Sequence, residues 1–111
     1  MATRRDTADF ILARLGHPDR FTVRAMFGEF ALYADGKPLA FICDDQLFVK
    51  IQPESAALEG RCEQASAYPG SKPYYLVPEE LIAGDRGLAG LLLRMAEVLP
   101  LPKARRTKKR P

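Results

Sequence analysis

Apolar and polar positions change rhythm once in the first half of the chain. Phe10, Ile11, Leu12 and Leu15 recur at helical spacing, with Ile11 and Leu15 one turn apart on the same face. The spacing predicts a helix over about residues 5–16. Asp6 or Thr7 is expected to cap it, Asp9 suits its first turn, and Gly16-His17-Pro18 forms its exit. From Phe21 the period shortens to two. Val23, Ala25 and Phe27 alternate with Thr22, Arg24 and Met26, and Gly28 marks a bulge or tight bend. Phe30 and Leu32 then alternate with Ala31 and Tyr33. Asp35-Gly36 follows as a hairpin turn, because both residues tolerate positive φ. Pro38 sits at the start of a return strand, where its missing N–H costs little. That strand reads as Leu39, Phe41 and Cys43 on one face against Ala40 and Ile42 on the other. After Asp44-Asp45 turns the chain, Leu47, Val49 and Ile51 oppose Phe48 and Lys50. Three or four strands in sequence order follow from this pattern.

The second half is patterned more weakly. "ESAALEG" after Pro53 predicts a short helix ended by Gly60, and Cys62 to Ala65 a short strand. A turn-rich loop follows around Pro69-Gly70-Ser71, then a strand over Tyr74 to Val77. Pro78 fits a first helical position, with Glu79 and Glu80 at the favoured end of the dipole and Gly84 as the break. Asp85 is placed to cap a last helix whose stripe is Leu88, Leu91, Leu92, Met95 and Leu99, closed by Pro100 and Pro102. Strands that follow one another, with helices at either end, predict an α+β fold: a two-layer α/β sandwich with an antiparallel sheet and its helices on one face. The 111 residues suit one domain, expected over 1–102.

Charge divides the chain in two. Residues 1–102 carry a net −3, whereas "KARRTKKRP" holds Lys103, Arg105, Arg106, Lys108, Lys109 and Arg110, a charge of +6. Residues 103–111 lack apolar content and are expected to form a disordered basic tail. Such a tail has the composition of a nucleic-acid contact, sequence-nonspecific because no aromatic interleaves its cations. A solubilising terminus fits it equally. The N-terminal "MATRRDTADF" has no apolar core behind its arginines, and no apolar run approaches the roughly 20 residues that span a bilayer. A cytoplasmic protein with no membrane contact is expected.

Candidate chemistry is sparse. His17 is the only histidine and Cys43 and Cys62 the only cysteines, so no Cys/His metal set can be assembled. His17 reads as a helix-terminal or surface residue, Cys43 as a small buried residue, and Asp44-Asp45 as turn formers. No cofactor and no catalytic group is expected. Arg24 and Lys50 are charged positions within apolar strands. With Phe48 they mark either a solvated sheet face or a partner-binding surface.

Two motifs add a resemblance. Arg24, Met26, Phe27, Gly28, Leu32, Tyr33, Asp35, Gly36, Ala40, Phe41, Asp44, Leu47, Phe48 and Lys50 stand in register with a pattern Arg-x-Met-Phe-Gly-Gly-Tyr-Gly-(Leu/Ile)-Tyr and its continuation. "YYLVPEEL", Tyr74 to Leu81, matches a second block. The chain thus resembles the N-terminal domain of the TfoX/Sxy family of bacterial competence regulators over about residues 5–99. It departs from the pattern at Glu29, Phe30 and Ala31. The middle segment between Ile51 and Tyr74 is compressed, and the basic tail stands where the family's C-terminal domain would begin. The resemblance implies an α-β(3)-α-β(2)-α fold and a regulatory role, since relatives help the cyclic-AMP receptor protein activate competence promoters. A non-enzymatic adaptor contacting the transcription machinery is therefore expected, with a weak nucleic-acid binder acting through its tail as the alternative. Exposed sheet edges leave both monomer and dimer open.

Overall fold

The computed structural model describes residues 3–84 and 87–99. Helix α1 covers Arg5–Leu15, and Gly16 ends it at φ +71, a conformation in which glycine meets no steric cost. Four strands follow without interruption: β1 (Phe21–Met26), β2 (Glu29–Ala34), β3 (Lys37–Cys43) and β4 (Gln46–Val49). The short helix expected after Pro53 is a 3₁₀ turn, Pro53–Leu58. Its entry is closed by Ser55, whose hydroxyl accepts the Gln52 N–H at 3.0 Å and donates to the Lys50 carbonyl at 2.8 Å. Strands β5 (Glu63–Ser66) and β6 (Pro73–Val77) and helices α2 (Glu79–Gly84) and α3 (Gly87–Val98) complete the chain.

The strands form one antiparallel sheet in the order β1-β2-β3-β4-β6-β5. The fold is α+β, as the pattern implied. The meander holds four strands before the 3₁₀ turn, where the resemblance implied three. Chain order breaks once: β5 takes the outer edge and β6 pairs between it and β4. The helices gather on one face. Ala8, Ile11 and Leu15 of α1 and Leu88, Leu91, Leu92 and Met95 of α3 close over Leu32, Ile42, Leu47, Val49 and Val77 in a single core. Helix α3 is buried around most of its circumference, with Leu92, Met95 and Ala96 inaccessible to solvent, which is why it is apolar beyond a single stripe.

Two sequence expectations are corrected, one by the register and one at the start of α1. Leu32 pairs with Ala40 but Tyr33 with Pro38, so Leu39 is an extra residue on β3. This bulge turns Leu39 onto the core face beside Ala40 and Ile42, and leaves Phe41 and Cys43 on the opposite face. Strict alternation had put Leu39 with Phe41. Neither Asp6 nor Thr7 caps α1: Arg4 holds the N-cap position, with no cap from its own side chain. Asp85, expected to cap α3, lies outside the described residues. The contact supplied to α1 instead comes from the β3–β4 turn.

Candidate functional site

Each hairpin of the meander closes through two residues that both have positive φ: Phe27-Gly28, Asp35-Gly36 and Asp44-Asp45. This is the type I′ geometry, whose twist matches that of the flanking strands. Asp and Gly accept it readily. Phe27 does not, because a bulky side chain at φ +51 crowds its own backbone. The residue expected inside β1 is therefore the tip of a hairpin, and its ring is 98% exposed. Gly28 completes the turn at φ +81, so the expected bend is a full chain reversal.

Beside this tip the N-terminal segment is bound to the sheet. The Thr3 N–H donates to the Gly28 carbonyl at 2.9 Å. The Thr3 hydroxyl lies on Glu29 Oε1 and within 3.1 Å of the Ile42 carbonyl, and accepts the Asp45 N–H at 3.2 Å. Glu29 Oε1 also accepts the Asp44 N–H at 3.0 Å. Asp45 Oδ1 accepts from the Arg4 N–H at the N-cap position at 3.0 Å and from the Thr7 hydroxyl at 2.8 Å, and so anchors the start of α1 from 38 residues away. These bonds, the Arg4 N–H first, hold the Asp45 carboxyl below its ordinary range. Asp44-Asp45 is a turn, as read, and also an anchor. Among the described residues no group of three or more His, Cys, Asp or Glu side chains converges as a metal site requires.

Among the described residues no helix covers the other face of the sheet. A second, smaller cluster lies there, with Cys43, Phe48 and Tyr74 buried and Phe41, Ala65, Ala67 and Leu76 packed around them. One register row crosses the whole face: Arg24, Ala31, Phe41, Phe48, Leu76 and Glu63. The structure thus places Arg24, Phe48 and Lys50 on one face but does not bring them together. Arg24 is three strands from the other two, about 14 Å at the usual spacing. Phe48 is only 4% exposed and lies beneath the surface. The accessible rings are Tyr68, 49% exposed, and the half-buried Phe41 and Tyr33. Phe41 meets Tyr68 and Tyr74 edge-on, at centroid distances of 6.2 and 5.5 Å. The Arg24 guanidinium lies 5.9 Å from the Tyr33 ring centre. Lys50 is half-buried beside Lys72, and desolvation followed by that neighbour lowers its pKa. Reading the sequence missed Tyr33, Tyr68 and Lys72, although two-residue alternation through Lys72, Tyr74 and Leu76 was available to find the last.

The remaining candidates behave as structural groups. Cys43 is buried, and desolvation pushes its thiol up to about 11, far from a nucleophile's range. Cys62 is half-buried and its thiol is also pushed up by desolvation. His17 is exposed at the end of α1 and meets Phe21 edge-on at 6.1 Å. A cleft of about 700 Å³ opens between α1, β4, β6 and α2, with Phe10, Leu47, Val77 and Ile82 on its wall and Asp6 and Glu79 at its rim. The basic residues from Lys103 to Arg110 lie outside the described residues. Among the described residues no helix is long and apolar enough to cross a membrane.

The model of the TfoX N-terminal domain matches residues 11–96 of this chain, which takes in the whole sheet, the C-terminal part of α1 and most of α3. The chain belongs to the TfoX N-terminal domain family. It is also 34% identical over 108 residues to the uncharacterised 12.7 kDa protein of the trpE 5′ region of Spirochaeta aurantia, an alignment covering 97% of this chain and 93% of that one. In the TfoX N-terminal domain described here, the Arg-x-Met-Phe-Gly run forms the end of β1 and its hairpin tip, and "YYLVPEEL" runs from β6 into α2. The three departures from the family pattern have separate structural settings. Phe30 and Ala31 are buried within β2, and Glu29 joins the N-terminal segment to the β3–β4 turn.

Proposed function

We propose that this chain is a non-enzymatic regulatory or adaptor domain that works by protein–protein contact in bacterial transcription. The observation that carries the reading is Phe27. A fully exposed aromatic ring on a strained turn is unfavourable twice over, in unrecovered apolar surface and in backbone conformation. Asn at this place would satisfy the turn without either cost. Strain of this kind clusters where a group has work to do, and aromatic anchors that fill a partner's pocket carry much of the binding energy at interfaces. Membership of the TfoX N-terminal domain family supports a transcription-linked partner.

The test is a photoreactive benzophenone analogue of phenylalanine in place of Phe27, activated in the native cell. Adducts with a transcription factor or an RNA polymerase subunit, lost when the analogue is moved to exposed Ala57, are expected. Adducts only with proteins unconnected to transcription, or none from position 27, would overturn the reading.

A further inference from the structure

The uncovered sheet face combines two features that solvent alone does not require. It carries three cations, Arg24, Lys50 and Lys72, and none of them takes part in an ion pair among the described residues. Its acids are peripheral: Glu29 is engaged at one end of the strands by Thr3 and the Asp44 N–H, and Glu63 stands on the outer edge strand. Between the cations lie partly exposed aromatic rings. Tyr33 sits beneath Arg24, Phe41 occupies the middle strand of the row, and Tyr68 projects from the β5–β6 loop next to Phe41. The buried Phe48 and Tyr74 form a firm floor under them.

We propose that this face is a platform for single-stranded nucleic acid, with Arg24 at one end and Lys50 and Lys72 at the other taking phosphates, and Tyr68, Phe41 and Tyr33 taking bases. An open antiparallel sheet bearing aromatic rings among cations suits unpaired bases, which can splay and stack, better than a duplex, whose bases are inaccessible to a flat surface. The span of about 14 Å between Arg24 and Lys50 accommodates a few nucleotides. An acidic protein segment would satisfy the cations but leave the rings without partners. The platform is built from residues other than the basic ones between Lys103 and Arg110 and offers the aromatic stacking that those residues lack.

The experiment must keep the two apart. The full-length chain is prepared with Lys103, Arg105, Arg106, Lys108, Lys109 and Arg110 replaced by Gln. Its binding to a short fluorescein-labelled oligothymidylate is followed by anisotropy over a range of salt concentrations. The chain has no tryptophan, so stacking on Tyr68 and Tyr33 is also read as quenching of intrinsic tyrosine fluorescence. Expected are retained binding with quenching and a log–log salt slope of about −2, from three single-strand phosphate contacts. Lys50→Gln with Lys72→Gln should weaken binding about tenfold and flatten the slope. Tyr68→Leu, in an exposed loop where folding is not at stake, should weaken it about tenfold with the slope unchanged. Loss of all binding on neutralising the tail would overturn the proposal. So would variants within about twofold of the parent, or equal affinity for the matching duplex or for polyaspartate.

Discussion

At the scale of single residues, Phe27 and Glu29 flank Gly28 at one turn and do opposite things. Phe27 strains the fold, so Phe27→Asn should raise stability by about 1 kcal/mol in chemical denaturation while abolishing capture of the partner. Loss of stability in that variant would show that the ring packs. Glu29 instead holds Thr3 and the Asp44 N–H. Restoring the family's glycine, Glu29→Gly, should cost about 1 kcal/mol or more and loosen the N-terminal segment, visible as faster amide exchange at Thr3 and Asp44. Cys43 should resist alkylation at neutral pH while Cys62 reacts first, because burial keeps the Cys43 thiol protonated up to about 11. Phe27 was legible only as a strand position. Val23 and Ala25 lead into it with unbroken alternation, and Phe-Gly is not a pair that turn chemistry singles out, as it does Asp35-Gly36.

At the scale of elements, the misreadings come from one-residue events and from partners distant in sequence. The bulge at Leu39 reverses which face its neighbours take, and nothing in "PLAFIC" marks it, since every residue there except Pro38 is apolar or small. The anchor at the start of α1 is invisible locally because Asp45 provides it across the fold. That anchor gives a pH dependence. The folded pKa of Asp45 lies below its unfolded value of about 3.9, so its stabilisation is fully present above that value. It is lost as the pH falls through the lower, folded value. Amide exchange in the first turn of α1 should therefore accelerate in acid before the sheet opens, and Asp45→Ala should remove this early step. Helix α3, by contrast, was readable from its stripe. Leu92 is inaccessible to solvent at the centre of that stripe, and Leu92→Ala should cost about 2–5 kcal/mol, measured as a lower denaturation midpoint.

At the scale of the whole molecule, the α+β class, the antiparallel sheet and the gathering of helices on one face followed from the change of period and the order of elements. The second cluster did not, because Phe41, Cys43 and Phe48 look in sequence like core residues of a covered face. Among the described residues that face carries no helix, and the loop carrying Tyr68 roofs part of it. A chain with a net −3 over residues 1–102 can still present a locally cationic surface, since its acids cluster at turns and helix starts while Arg24, Lys50 and Lys72 share one side of the sheet. The hook from Asp45 to α1 also bears on how the protein comes into being. During synthesis α1 leaves the ribosome before the β3–β4 hairpin, yet the carboxylate that accepts the Arg4 N–H and the Thr7 hydroxyl is translated 38 residues after Thr7. That contact cannot form until the β3–β4 hairpin has also emerged.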